Sequence, residues 1–241
     1  MTNRFYLPAI QFINNRMLVD STELAKQLKN VLRVRVGEII YLFDNSGMEY
    51  ETKVEQISNK GVEVTLVKEY QGKLEPSVRV VIYQALLKKD KWEWLLQKVT
   101  ELGVSEIIPM RTEYCISDNI SESKQERYEK ILIESTEQCG GCRIPKLGEL
   151  QSYTQALKSI LEKKSKAFLL HPEEQALSLI QATQRLKEIS LLIGPEGGFS
   201  PKEIEEAKEA EVTVVQMGQR ILRAETAGIM AVGLVFQNTI S

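Results

Sequence analysis

At 241 residues the chain suits one large domain or two smaller ones, and its 43% of hydrophobic residues is enough to build real cores. No uncharged run approaches the roughly 18 residues that span a bilayer, and the opening MTNRFYLPAI lacks the apolar centre of a signal peptide, so a cytoplasmic location is expected. A formal net charge of −2 excludes a globally basic nucleic-acid binder; any basic surface has to be local.

The N-terminal third reads as β-rich. Residues 4–7 form a short strand, and a short helix is expected from a cap at Asp20, with Glu23 completing the capping box and Leu24, Leu28 and Val31 facing inward. Residues 38–43, 48–57 and 61–69 then alternate as three antiparallel strands with turns at 44–47 and 58–61, which predicts a small barrel. Charge within this module is uneven: residues 1–36 hold six Lys or Arg against two acids, and residues 37–72 hold three against seven. One end is therefore basic, which ordinary solvated surface also accounts for.

The polar stretch QGKLEPS at 71–77 reads as a linker. Beyond it strands and helices alternate. Residues 78–87 form a strand; Trp92, Leu95, Val99 and Leu102 mark the buried stripe of a helix ending at Gly103; residues 104–110 form the next strand. A longer helix is expected at about 123–138, burying Tyr128, Ile131 and Ser135, followed by a strand at 167–170. Trp94 stands beside Lys88, Lys89 and Lys91, where it could serve as a stacking platform for a base.

The stretch 191–236 organises the rest. A short apolar strand at 191–193 stops at Gly194, Pro195, Glu196, Gly197 and Gly198, a turn that needs unusual backbone angles. Ser200, Pro201 and Glu203 then give a capping box with proline at the first helical position, and Ile204, Ala207 and Ala210 form a narrow apolar stripe. A second strand at 212–217 leads to a second turn at 218–223. The last helix, 227–236, carries no charge at all and has small residues at Ala227, Gly228, Ala231 and Gly233, so it has to be covered on nearly every side. Five strands in βα alternation indicate a parallel sheet with helices on both faces, an α/β fold. Both glycine turns then stand at carboxyl ends of parallel strands, where such sheets bind ligands, although tight βα turns alone would show the same glycines. No GxxxxGK[ST] is present, and GPEGG lacks the dinucleotide spacing.

The cysteines carry less. Cys139 and Cys142 form a CxxC, and Cys115 with His171 would bring the possible zinc ligands to four, but the last two lie far apart and no second pair exists. No metal is expected. His171 lacks the partners of a Ser-His-Asp set and reads as structural.

LLIGPEGGFSPKEI together with MGQRILRAETA resembles the C-terminal half of the SPOUT methyltransferases, specifically the bacterial family that methylates N3 of a uridine in small-subunit (16S) ribosomal RNA. The similarity extends to LLHPE from Leu169, QKVTELGVSEIIP from Gln97, EQCG from Glu137 and NVLRVRVGE from Asn30, and so covers almost the whole chain. The resemblance implies a PUA-like RNA-binding β-barrel domain at 1–72 and a SPOUT domain at 73–241 whose C-terminus threads into a trefoil knot. It implies a binding site for S-adenosyl-L-methionine walled by Leu170 and His171, by Ile193, Gly194, Pro195, Glu196, Gly197 and Gly198, and by Met217, Gly218, Ile221, Leu222 and Thr226. Arg223 is expected to supply positive charge near the uridine anion, with Glu225 orienting it or acting as base; a plain Arg223–Glu225 salt bridge at a helix start is the alternative. Arg4, Arg16, Arg33 and Arg35 become phosphate-contact candidates. Arg143 is a further one, although the family has arginine directly after EQCG, where Gly141 stands here. A homodimer formed through the C-terminal domain is expected, with no membrane partner. The expected partner is the ribosomal RNA or the small ribosomal subunit, and two other functions stay open: a SPOUT enzyme acting on another RNA such as transfer RNA, and a non-catalytic RNA-binding ribosome assembly factor.

Overall fold

The computed structural model describes residues 3–28, 32–116, 119–163, 165–172 and 177–239. It contains two compact units, one of Met1–Glu75 with Thr136–Arg143 and the other of Pro76–Ser135 with Ile144–Ser241.

In the first unit, strands β1 (Arg4–Tyr6), β2 (Arg16–Val19), β3 (Ile39–Phe43), β4 (Met48–Ser58) and β5 (Gly61–Gln71) form one sheet in the order β1-β3-β4-β5-β2. β1 runs parallel to β3, and the other pairs are antiparallel. Alternation explains the core: Ile40 and Leu42 on β3, and Val62 and Val64 on β5, point the same way and bury with Phe5, Leu28 and Val54. Register shifts at Glu51/Thr52 and Val54/Gln56 are bulges, which bend the long β4–β5 ribbon. Helix α1 (Thr22–Lys26) differs from expectation at its start. The cap is Ser21, whose Oγ accepts from Leu24 N at 3.1 Å, so the helix begins a residue later than a cap at Asp20 requires. Leu24 and Leu28 are buried as expected, and Val31 lies outside the described residues.

Residues 136–143 belong to this unit although they lie far along the chain. Glu137 accepts from the backbone N of Tyr6 at 2.9 Å, Glu75 accepts from Cys142 N at 2.7 Å, and the Arg143 guanidinium donates to Ser46 O at 2.9 Å. EQCGGCR is thus a structural insertion into the small module.

The second unit carries β6 (Arg79–Ala85), α2 (Lys89–Glu101), β7 (Glu106–Arg111), α3 (Glu122–Cys139, its last residues counted with the first unit), β8 (Lys146–Leu147), β9 (Gln151–Ser152) and α4 (Tyr153–Lys163). It continues with β10 (Lys166–Leu170), β11 (Leu177–Ser178), α5 (Leu179–Ala182), β12 (Glu188–Ile193), α6 (Pro201–Glu209), β13 (Thr213–Gln216) and α7 (Ala224–Thr239). The sheet is parallel throughout, with β11-β13-β10-β12-β6-β7-β8 in order and β9 also pairing with β7. Its strands are apolar on both faces because both are covered. Val80 and Ile82 of β6 bury with Leu95 of α2 and Val232 of α7, whereas Val81 and Tyr83 bury with Ala156 of α4 and Ala207 of α6. No element is predicted from the sequence where α4 lies, yet Tyr153, Ala156, Leu157 and Ile160 fall at helical spacing and are buried.

Two expectations for helices change. Leu102 is 37% exposed rather than part of the buried stripe, because α2 ends at Glu101 and Leu102 is its C-cap. The small residues of α7 serve the inside of this unit: a Cβ at Gly228 would come within 2.7 Å of both Gln84 Oε1 and Leu95 Cδ1, so glycine there lets the helix lie close on β6 and α2. After β12 the chain crosses β10 to form β13, and α7 then returns to pack on β6 and β12. That return path is consistent with the C-terminal knot of the fold.

Candidate active site

A cavity of about 510 Å³ opens at the carboxyl ends of β10, β12 and β13, three neighbouring strands. The position follows from topology, since the loops after adjacent parallel strands converge there. Leu170 and His171 after β10, Ile193 through Gly198 after β12, and Met217, Gly218, Ile221 and Leu222 after β13 all line it. Of the candidate cofactor residues only Thr226 stands off the wall, one turn into α7, where Ala224 and Ala227 take its place.

The first glycine loop is tightly built. Gly198 N donates to Pro195 O at 3.0 Å, and a Cβ on Gly194 would lie 3.2 Å from the Gly198 carbonyl carbon, so any larger residue would have to push the turn open by a few tenths of an ångström. A Cβ on Gly197 would meet Cβ of Tyr114 at 2.9 Å, so this glycine answers to the loop after β7 rather than to the cavity. Gly198, with φ +72°, and Gly218, with φ +125°, have left-handed backbone and no atom within 4 Å of a notional Cβ. At these two points bare backbone borders open cavity.

α6 anchors the loop from behind. Ser200 Oγ accepts from Glu203 N at 3.3 Å while Glu203 accepts from Ser200 N at 2.9 Å, the capping box read from the sequence. The other Glu203 oxygen accepts from Glu113 N at 2.8 Å, and the Tyr153 hydroxyl donates to Glu203 O. Burial, then the nearby Glu203 and Glu206 carboxylates, push the Tyr153 hydroxyl far up, so it stays a donor.

The charged groups are arranged differently from expectation. Arg223 is exposed and lines the cavity, and among the described residues its guanidinium has no ion-pair partner. Glu225 does not orient it. Glu225 is 5% exposed, is absent from the cavity wall, and lies with Oε2 3.6 Å from Lys91 Nζ. Lys91 does line the cavity, and its Nζ also lies 3.2 Å from Glu196 Oε1. Burial by itself would raise the Glu196 carboxyl, but backbone hydrogen bonds and the Lys91 ammonium outweigh it and hold the group below the usual carboxylate range. Lys91 was not a candidate from the sequence, where KKDKW gives no sign of partners more than a hundred residues away.

His171 donates its backbone N to Val215 O at 3.0 Å, extending the β10–β13 ladder, while its Nδ1 is buried without a partner among the described residues. Trp92 is in the core; Trp94 is 44% exposed and away from the cavity. In the small unit, Arg16, Arg33 and Arg35 are exposed, Arg33 with φ +53°. Arg4 is not: its guanidinium is paired with Glu49 and lies over the Tyr41 ring, with 11% of the side chain accessible. Cys142 is buried, and desolvation followed by Glu75 pushes its thiol up to about 12. It is a protonated thiol at neutral pH, and so a poor nucleophile. Among the described residues no three His, Cys, Asp or Glu side chains cluster as a metal site, and no helix is long and apolar enough to cross a membrane.

A parallel sheet whose glycine loops converge on one cavity, in a chain that also carries a small β unit, defines a class that comparison makes specific. Residues 74–236 match an RNA methyltransferase domain and residues 28–67 an RNA methyltransferase PUA domain, and the chain belongs to this RNA methyltransferase family. Within it, the chain is 30% identical to ribosomal RNA small subunit methyltransferase E of Bacillus subtilis, over 90% of this chain and 88% of the relative. The Buchnera aphidicola protein of the same name is 29% identical, over 90% and 89%. The fold matches that of ribosomal RNA small subunit methyltransferase E from Neisseria gonorrhoeae bound to S-adenosyl methionine, with a TM-score of 0.90 and 28% identity across 99% of this chain and 98% of that one. A methyltransferase from Legionella pneumophila, also solved with S-adenosyl methionine, matches with a TM-score of 0.86 and 30% identity across 98% and 97%.

Proposed function

We propose that this protein transfers a methyl group from S-adenosyl-L-methionine to N3 of a uridine in small-subunit (16S) ribosomal RNA, in the cytoplasm. The observation that carries the reading is the cavity itself: bare glycine backbone from two loops, at the ends of adjacent parallel strands, in a chain of the RNA methyltransferase family.

The residues present fit the cofactor. Leu170, Ile193, Met217 and Leu222 give apolar walls for a flat purine, Gly198 and Gly218 leave no side chain in its way, and the buried Nδ1 of His171 lacks a partner among the described residues. About 510 Å³ lies within the range of small-ligand sites, roughly 300–1,000 Å³. When bound, the cofactor supplies a methyl group on a sulfonium, already electrophilic. The protein's task is then mainly alignment and support of the charge that develops on the base. Arg223, exposed on the cavity wall and without an ion-pair partner among the described residues, offers its guanidinium to the uridine in this reading. Glu225, buried behind the wall, acts through Lys91 rather than on the base.

The small unit is the RNA-binding module in this reading. Arg16, Arg33 and Arg35 offer exposed cations to phosphates; Arg143 is exposed but already engaged with Ser46; Arg4 is withdrawn from the set by its pairing with Glu49. The protein is proposed to act as a homodimer, because Trp94, Leu102 and Met230, from α2, its C-cap and α7, leave large apolar side chains in solvent that a second copy would cover. Light scattering that returns a monomer while activity is full refutes the dimer.

The deciding experiment is nucleoside mass mapping of small-subunit RNA from a deletion strain, before and after incubation with the protein and cofactor. One N3-methyluridine is expected to appear, and R33A/R35A to slow its formation while lowering the salt slope of RNA binding by about two. Methylation that appears only in transfer RNA, or none at all alongside tight RNA binding, refutes the reading.

A further inference from the structure

Three charged groups beside the cavity come from elements far apart in the chain: Lys91 in the first turn of α2, Glu196 in the loop after β12, and Glu225 in the first turn of α7. The Lys91 ammonium lies 3.2 Å from one carboxylate and 3.6 Å from the other. Among the described residues Glu225 Oε2 is buried and accepts no hydrogen bond, and the Lys91 ammonium is the cation that faces it. Two carboxylates against one ammonium leave the cluster with a net charge of −1. Long-range attraction at the cavity therefore falls to Arg220 and Arg223 on its wall, and what Lys91 itself offers is short-range donation. An ammonium has three N–H donors. Glu196 accepts one of them at 3.2 Å, the Glu225 carboxylate holds the ammonium from the other side by charge at 3.6 Å, and Lys91, unlike Glu225, faces the cavity with a third of its side chain accessible.

We propose that Lys91 is a catalytic residue of the methyl transfer, donating a hydrogen bond to a uracil carbonyl oxygen as N3 gives up its proton, and that Glu225 is the residue that positions it. The inference rests on the reaction proposed above. As the N3 proton passes to solvent, negative charge spreads onto O2 and O4; the N3–C bond forms while the S–C bond breaks, and the thioether leaves neutral. A fixed donor at a carbonyl oxygen acts where that charge develops, and does little for the neutral base. Arg223 supplies the second cation from the rim.

The competing role for Lys91 is a latch that merely ties the two loops together, and it would be felt in cofactor affinity. K91M, K91R and E225Q are compared with the unsubstituted protein by calorimetry with S-adenosylmethionine, by melting temperature, and by single-turnover methyl transfer to small-subunit RNA from neutral to alkaline pH. K91M is expected to hold cofactor affinity within about threefold while the rate falls about 100-fold, the scale for losing one such donor. The rising limb of its pH–rate profile moves to higher pH, because the bound uracil is no longer made more acidic. K91R recovers about tenfold of the loss, and E225Q loses about tenfold with unchanged affinity. A K91M that loses affinity in proportion to rate, or loses neither, overturns the proposal. If K91M melts out, unaltered rate and pH limb in both K91R and E225Q overturn it as well. An unsubstituted protein that methylates no uridine N3 defeats the reaction itself, whereas an active one beside an undiminished K91M removes only the role of Lys91.

Discussion

The two glycine loops of the cavity do the same kind of work with opposite construction. The loop after β12 is wired into the scaffold: the capping box, the Glu203–Glu113 bond and the Tyr153 hydroxyl hold its far end, and Gly194 and Gly197 pack against protein. The loop after β13 is held at its two ends, by Gly218 N to Gln216 and by Ala227 N to Arg223 O, while residues 218–223 are exposed and Ile221 is 84% exposed. One wall is rigid before ligand arrives; the other has apolar side chains that only a ligand or a partner would bury. The difference teaches where binding free energy is offset by ordering: on the second loop, not the first.

Breaking the rigid wall should cost most. G198V places a β-branched residue at φ +72° with its side chain directed into open cavity, so cofactor affinity is expected to fall about 100-fold or more in calorimetry. Unchanged affinity would remove this turn from the site. E203A leaves the buried N–H of Ser200 and the N–H of Glu113 unmatched, which is expected to lower stability by about 3 kcal/mol and the melting temperature by about 6–12 °C. A shift under about 2 °C would mean that the loop is not anchored through α6. I221S on the open wall should leave the melting temperature nearly untouched, since so exposed a side chain contributes within about 0.5 kcal/mol, yet weaken the cofactor about tenfold if that loop closes over it. Equal affinity for I221S and the unsubstituted protein would show that the loop stays open.

What is legible in the sequence is what depends on near neighbours. The capping box at Ser200 and Glu203, the glycines at 194–198 and 218, the five principal strands and the buried stripe of Trp92, Leu95 and Val99 are local chemistry, fixed by spacing of two to four residues, and the structure has them where the spacing puts them. That both glycine turns stand at the carboxyl ends of parallel strands is legible for the same reason, whereas the individual wall residues are what the family resemblance implies. Long-range pairing was not. Glu225 sits two residues from Arg223 and invites a local salt bridge, but α7 begins between them and turns the carboxylate inward to Lys91, 134 positions earlier in the numbering of that ion pair's residues. Arg4 looks free in the sequence until β4 brings Glu49 to it, and nothing in EQCGGCR announces that Glu137, Cys142 and Arg143 bond into the small unit. Small glycines in α7 signal close packing without saying against what; the fold answers with Gln84 and Leu95 of the same unit. Sequence periodicity carries the direction of a side chain relative to its own element, and only the packed chain decides which distant charge that direction meets.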